Sequence, residues 1–207
     1  MSTNRLDAIF SCIPKCDSFA DVGCDHGKLC AMVEDAGLCD DIYACDISEK
    51  CIAKAKILLA NYKKIRFFVS DGLQNVPPAQ VVSICGMGGR TIMEIIQKAN
   101  YKPYYVLGAQ KKVRELRLFL IDNGFEIEKD FVVEEDGKFY DVICAKKGNA
   151  TISDVQASEG VFYQQKDEVR KKRAQYKIQK YSTFAPTQEN LREKSYAEET
   201  LRWQNLP

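Results

Sequence analysis

Along the first 148 positions, short apolar runs alternate with stretches in which apolar residues recur every three or four positions, which predicts alternating strands and helices. Strand-like runs lie at 19–22, 41–45, 65–69, 81–85 and 104–108, and helical spacing covers 5–10, 28–35, 49–62, 90–98 and 113–123. Thr3 or Asn4 suits the N-cap of the first helix, Pro14 stops it, and this helix reads as a lid over one edge of the domain. Gly37 and Gly124 suit C-caps. The near-continuous apolar run 81–85 fits a parallel strand covered on both faces. Two more runs, 125–128 and 131–133, lead to Glu135-Asp136-Gly137-Lys138 and then to 139–145; Asp-Gly between such runs predicts a hairpin. The expected fold is therefore α/β, a mostly parallel sheet with an antiparallel edge hairpin, forming a domain over 1–148.

The pattern changes in 151–207, which reads as a small C-terminal helical extension. Helices are expected over 161–181 and 188–204, broken at Pro186 and folded back as a hairpin. The first carries Lys166, Arg170, Lys171, Lys172, Arg173, Lys177 and Lys180 against Asp167 and Glu168. A basic run of this kind is either a solvated helix face or a surface that tracks phosphates.

Composition narrows the classes. Thirty Lys and Arg against 29 Asp and Glu leave a net charge of +1, so any nucleic-acid surface must be local. A chain of 207 residues can bury one substantial core plus an appendage. With no leader and no run long enough to cross a bilayer, a soluble cytoplasmic protein without a membrane partner is expected. Nine cysteines without a Cys-x-x-Cys pair, beside a single histidine, are poor material for a metal site. They are expected to be reduced, mostly buried thiols.

Candidate chemistry centres on Phe19-Ala20-Asp21-Val22-Gly23-Cys24-Asp25-His26-Gly27-Lys28-Leu29, a strand that turns sharply into a helix. Gly23 and Gly27 let a ligand approach the backbone closely, and the helix start presents free amides. The spacing Gly-x-Asp-x-Gly is not the dinucleotide fingerprint, and its acid would repel a pyrophosphate. A cationic ligand such as S-adenosylmethionine suits it better. Asp46 ends the second strand, 23 positions beyond Gly23, about where such folds place a ribose-binding carboxylate; it also suits the cap of the next helix. Asp71, in Ser70-Asp71-Gly72-Leu73, can accept from an adenine amine or form an Asx-turn. Gly86-Met87-Gly88-Gly89 offers either a bare backbone for a flat base, with Met87 as a polarizable wall, or a turn into the next helix. The Asn/Asp-Pro-Pro-aromatic turn common in enzymes that methylate exocyclic base nitrogens is absent here.

Together, Arg5-Leu6, Asp21-Val22-Gly23-Cys24-Asp25-His26, Asp46, Asp71-Gly72-Leu73, Gly86-Met87-Gly88-Gly89 and Glu134-Glu135-Asp136-Gly137-Lys138-Phe139-Tyr140 resemble the bacterial tRNA (adenine-22)-N1-methyltransferases over about residues 4–147. The resemblance implies a class I Rossmann-like methyltransferase that uses S-adenosylmethionine and acts on the D-arm side of tRNA. It implies cofactor contacts from Asp21, Gly23, Asp25, His26, Gly27, Asp46, Ile47, Asp71, Gly72, Leu73 and Gly86, and a catalytic centre at Asp25, Met87 and Gly88. Beside such a core the basic helix would bind tRNA through Lys166, Arg170, Lys171, Arg173 and Lys177. Adenine N1 has a free lone pair at neutral pH, so no base is needed and alignment carries the reaction. Asp25 is the candidate for stabilising the positive charge that develops on the adenine, and His26 reads as a loop brace. A small-molecule methyltransferase, a nicotinamide oxidoreductase and a non-catalytic RNA-binding module are the competing readings.

Overall fold

The computed structural model describes residues 4–206. Thr3 lies outside them; Asn4 caps the first helix, its side chain accepting from the Asp7 N–H at 2.8 Å. Seven strands, β1 (Cys16–Val22), β2 (Cys39–Asp46), β3 (Ile65–Val69), β4 (Val81–Met87), β5 (Tyr104–Ala109), β6 (Phe125–Glu135) and β7 (Lys138–Lys147), form one sheet in the order β3-β2-β1-β4-β5-β7-β6. The first five run parallel, and β7 pairs antiparallel with both β5 and β6. Asp136 and Gly137 both take positive φ, 51° and 70°, as the hairpin turn between β6 and β7 requires.

Alternation along the strands decides which helix covers which face. Phe19, Ile42, Ala44, Val81 and Val106 pack with α1 (Arg5–Phe10), α2 (Lys28–Asp35) and α3 (Glu49–Leu58). Their neighbours Ala20, Val22, Tyr43, Cys45, Val82, Ile84, Tyr105 and Leu107 face α4 (Gly89–Lys98) and α5 (Val113–Asp122). Sheet order reverses between β1 and β4, which opens a crevice at the carboxyl ends of these strands, where open α/β sheets keep their ligands.

Several expectations need correction. Cys16 and Cys39 are joined by a disulfide, whereas all nine cysteines were expected as thiols; parallel register sets these two directly opposite each other, with Cα atoms 5.0 Å apart. Strand β4 extends through Gly86 and Met87 because β5 continues to pair with it across a bulge. Strand β6 is continuous where two runs were expected, a bulge between Ile127 and Lys129 absorbing the break in alternation. In the tail, an additional helix α6 (Asp154–Glu159) is opened by a Ser153/Gln156 capping box, and the helix expected over 161–181 is α7 (Glu168–Thr183), capped by Asp167. Helix α8 (Gln188–Gln204) falls where Pro186 and the apolar spacing put it.

The tail is fastened to the sheet by buried charge. Arg117 donates to both Asp130 oxygens at 2.8 Å and to Asp141 at 2.6 Å, and its Nη1 donates to the Ala157 carbonyl of α6 at 3.1 Å. Arg173 also donates to Asp141 at 2.6 Å, while Arg170 reaches the carbonyls of Glu159 and Asp130. Lys177 pairs with Glu159 and, at 3.0 Å, with Glu193. Such pairs stabilise only when every partner is present, and here each guanidinium is engaged by strand and tail together.

Candidate active site

The crevice is a cleft of about 670 Å³, within the usual range of small-molecule sites. Its floor is the end of β1 with Asp21 and Gly23, the turn through Cys24, Asp25 and His26, Asp46 from β2, and Cys85, Gly86 and Met87 from β4. Arg5, Leu6 and Ile9 of α1 cover one side, and Gln110 and Glu135 close another.

The glycine turn is built against the end of β2. Gly23 and Cys24 donate to the Cys45 carbonyl at 2.8 and 3.0 Å, and the Asp25 N–H donates to an Asp46 carboxylate oxygen at 3.2 Å. Gly23 has φ +76, and a Cβ there would lie 2.2 Å from the Met87 methyl, so its bareness serves both the turn and the seat of Met87. Asp25 itself adopts φ 48, and its carboxylate meets His26 Nδ1 at 2.5 Å. Gly27, also left-handed, precedes α2. Gly89 is tight for another reason: a Cβ would strike the Lys112 carbonyl at 2.6 Å, and its N–H donates to the Lys111 carbonyl. The loop after β5 thus presses on the glycine segment, and Gly88 caps α4 without a side chain.

Asp46 is not the cap of α3; Ser48 is, its hydroxyl accepting from the Cys51 N–H. The other Asp46 oxygen accepts from the Ser48 N–H at 2.9 Å, and each oxygen retains capacity for a further donor. Beside it Ile47 stands 71% exposed, an apolar side chain with no core to join.

Asp21 is the electrostatic centre. It is only 6% exposed and forms no ion pair among the described residues. Burial raises its carboxyl to about 7 from an ordinary 3.8; the Ser83 hydroxyl opposes this and the Asp46 charge adds to it. Burial together with the same carboxylates holds the thiols of Cys24 and Cys45 well above their usual range, so neither supplies a thiolate. Asp21, Asp25, Asp46 and Glu135 outnumber Arg5 and Lys28 around the cleft, which suits a ligand bearing positive charge.

Other predicted residues stand apart. Asp71 pairs with Lys98 at 3.0 Å and accepts from Gln74, Gly72 packs on Ile95, and Leu73 is in the core, so this segment supports the cleft from outside its lining. Of the five cations expected to bind tRNA, Arg170 and Arg173 are buried and Lys177 is held by two glutamates, so these three do not form an exposed face. Lys166 is exposed and Lys171 half-buried. Sequence reasoning did not assign Arg5, Gln110 and Glu135 to the site. Arg5 is fixed by its N–H to Glu135 at 3.0 Å and by stacking on Tyr140, and the only trace of this in the sequence is that both ends carry family motifs. Among the described residues no group of three or more His, Cys, Asp or Glu could hold a metal, and no helix is long and apolar enough to cross a membrane.

An acidic cleft at the switch point of a mostly parallel sheet defines a Rossmann-like ligand-binding fold. Residues 2–143 match the family model described as "Methyltransferase domain". The chain belongs to this methyltransferase family. A Mycoplasma pneumoniae protein described as "Putative tRNA methyltransferase" is 36% identical over 139 residues, covering 64% of this chain and 65% of that protein. The match therefore spans just under two thirds of that relative. The Bacillus subtilis tRNA (adenine(22)-N(1))-methyltransferase is 25% identical over 171 residues, 77% of this chain and 72% of that one. A solved Streptococcus pneumoniae structure, described as "a putative tRNA (m1A22) methyltransferase, in complex with S-adenosyl-L-methionine", superposes with a TM-score of 0.88 at 25% identity, covering 97% of this chain and all of that one.

Proposed function

We propose that this protein transfers the methyl group of S-adenosylmethionine to N1 of adenine 22 on the D-arm side of tRNA. The observation that carries the reading is Asp21, a buried carboxylate without a counter-charge among the described residues, lining the same cleft as Asp46. The cleft fits that cofactor: net negative, glycine-floored, with a thioether wall at Met87. When bound, S-adenosylmethionine supplies a methyl carbon on a cationic sulfur. Asp21 would face its positive charge, Asp46 would accept from ribose hydroxyls, Ile47 would offer an apolar side to its base, and Gly23, Gly27 and Gly86 would leave room for it. His26 holds Asp25, and Gly72 braces the end of β2, its carbonyl accepting from the Cys45 thiol.

Adenine N1 attacks without losing a proton, so the chain need supply no base. Its task is alignment and a negative charge near the adenine, where positive charge accumulates. Asp25 would serve the second role and Met87 with Gly88 the first, a reading supported by the hydrogen bonds that tie the 87–89 segment to the 110–111 loop. The test is methyl transfer from labelled S-adenosylmethionine to unmodified tRNAs carrying adenine or guanine at position 22, with nucleoside mass analysis. Formation of 1-methyladenosine only with the adenine substrate is expected; transfer to neither, with cofactor bound, overturns the tRNA assignment.

A further inference from the structure

Beside the cleft lies a second groove of about 820 Å³, walled by the 110–115 loop, the β6/β7 hairpin tip and the inner sides of α7 and α8. Three observations distinguish it. Gln110 lines both cavities, and Tyr140 of the groove stacks against Arg5 of the cleft with 4.6 Å from guanidinium carbon to ring centroid, so the two spaces adjoin. Lys111, Lys138, Lys180 and Arg192 border the groove without an ion pair among the described residues, whereas the buried cations next to them are neutralised. Tyr176 is 52% exposed over the groove, its ring 5.8 Å from that of Phe139. Unpaired cations around exposed aromatic faces are the chemistry of single-stranded nucleic acid binding.

We propose that this groove holds the unpaired nucleotide next to the target adenosine, its base lying on Tyr176 and its phosphates facing Lys111, Lys138 and Lys180. The inference rests on the tRNA reading above and moves the RNA path from the outer basic side of α7 to the inner groove. The buried charge network gives α7 a fixed distance from the cleft, so a base on Tyr176 would set where the next base enters.

The test compares wild type with Tyr176→Ala and Tyr176→Phe, using unmodified tRNA and measuring tRNA affinity, S-adenosylmethionine affinity and the KM and kcat of methylation. Loss of one base stack predicts about 5- to 150-fold weaker tRNA binding for Tyr176→Ala, carried in KM, with near-full recovery in Tyr176→Phe and unchanged cofactor affinity. Lys138→Gln with Lys180→Gln should reduce the slope of log affinity against log salt by about 1.5, from two lost phosphate contacts. Wild-type affinity in Tyr176→Ala, while the wild-type enzyme methylates tRNA, overturns this inference alone. A wild-type protein that binds no tRNA overturns it together with the tRNA reading. A wild-type dimer that Tyr176→Ala dissociates would assign the groove to a second copy of the chain and also overturn it.

Discussion

Replacing Asp21 with Asn should, above neutral pH, make the protein more stable and a poorer binder of S-adenosylmethionine at the same time. The wild-type carboxyl titrates near 7 instead of 3.8 because burial penalises its charge. At about 1.4 kcal/mol per tenfold change in proton affinity, ionising Asp21 in the fold costs about 4 kcal/mol. The sign follows from proton linkage. Below pH 4 the group is neutral in both folded and unfolded chains and costs nothing; between 4 and 7 only the folded chain keeps the proton, so stability falls as pH rises; above 7 the cost is complete. Asn removes the charge but buries an amide at a cost of about 2 kcal/mol, so a gain of about 2 kcal/mol remains at pH 8, or about 4 to 8 °C in Tm, and at pH 4, where the wild-type acid is neutral, the variant is the less stable by about the same amount. Binding moves the other way. A cationic ligand beside Asp21 favours the ionised form, so wild-type affinity should rise with pH and level off near 7, while Asp21→Asn loses about 10- to 100-fold and the pH dependence with it. Thermal melts at pH 4 and 8, with calorimetric titration of the cofactor, read both arms. Equal melting at pH 8, or wild-type affinity in the variant, would refute the assignment of Asp21 as a buried unpaired charge kept for the ligand.

Other expectations follow from the same geometry. Asp25→Asn should keep cofactor affinity and lose about 10- to 1000-fold in kcat; a collapse of affinity in calorimetry would make Asp25 a cofactor ligand only. Gly23→Ala should weaken cofactor binding, chiefly because φ +76 is strained for alanine and secondarily because the new methyl, 2.2 Å from the mobile end of Met87, displaces that side chain; Met87→Ala in the same chain should restore binding only in part, and full restoration would remove the backbone argument. Arg117→Leu should cost about 3 to 5 kcal/mol by leaving Asp130 buried without its guanidinium and Asp141 with Arg173 alone, and should expose 148–153 to limited proteolysis. Burial pushes the Asp141 carboxyl up, but the Arg173 and Arg117 guanidinia outweigh it and hold it well below the usual range. The pairing is therefore lost only in strong acid, and a tail released near pH 5 would contradict it.

How much was legible differs by element. The sheet and its glycine turns were readable from periodicity and spacing, since strand alternation, the Asp-Gly hairpin and the Gly23 turn are local in the chain. Asp21, Asp25 and Asp46 were readable as a group for the same reason: each ends a strand or follows one, and parallel strands bring such ends together. Asp71 was read from its position after a strand; the fold sets it outside the cleft lining, in a half-exposed pair with Lys98, 27 residues away, a contact that sequence spacing does not show. Ser48, two residues beyond Asp46, took the helix cap and left Asp46 facing the cleft.

The sequence by itself determined the class of fold, the positions of its turns and the acidic chemistry of the cleft, because these follow from patterns within a few residues. Tertiary structure alone decided the fate of the basic tail. Seven cations look alike along a helix, but the side of α7 that meets β6, β7 and α6 is selected by packing, and there Arg170 and Arg173 find carboxylates and carbonyls from strands about 30 to 40 residues earlier. The same is true of Cys16 and Cys39, brought face to face by strand register, and of Arg5 and Tyr140, which link the cleft to the groove across nearly the whole length of the sheet domain. A charge's role depends on what the fold places within about 3 Å of it, and that distance is not written in sequence spacing.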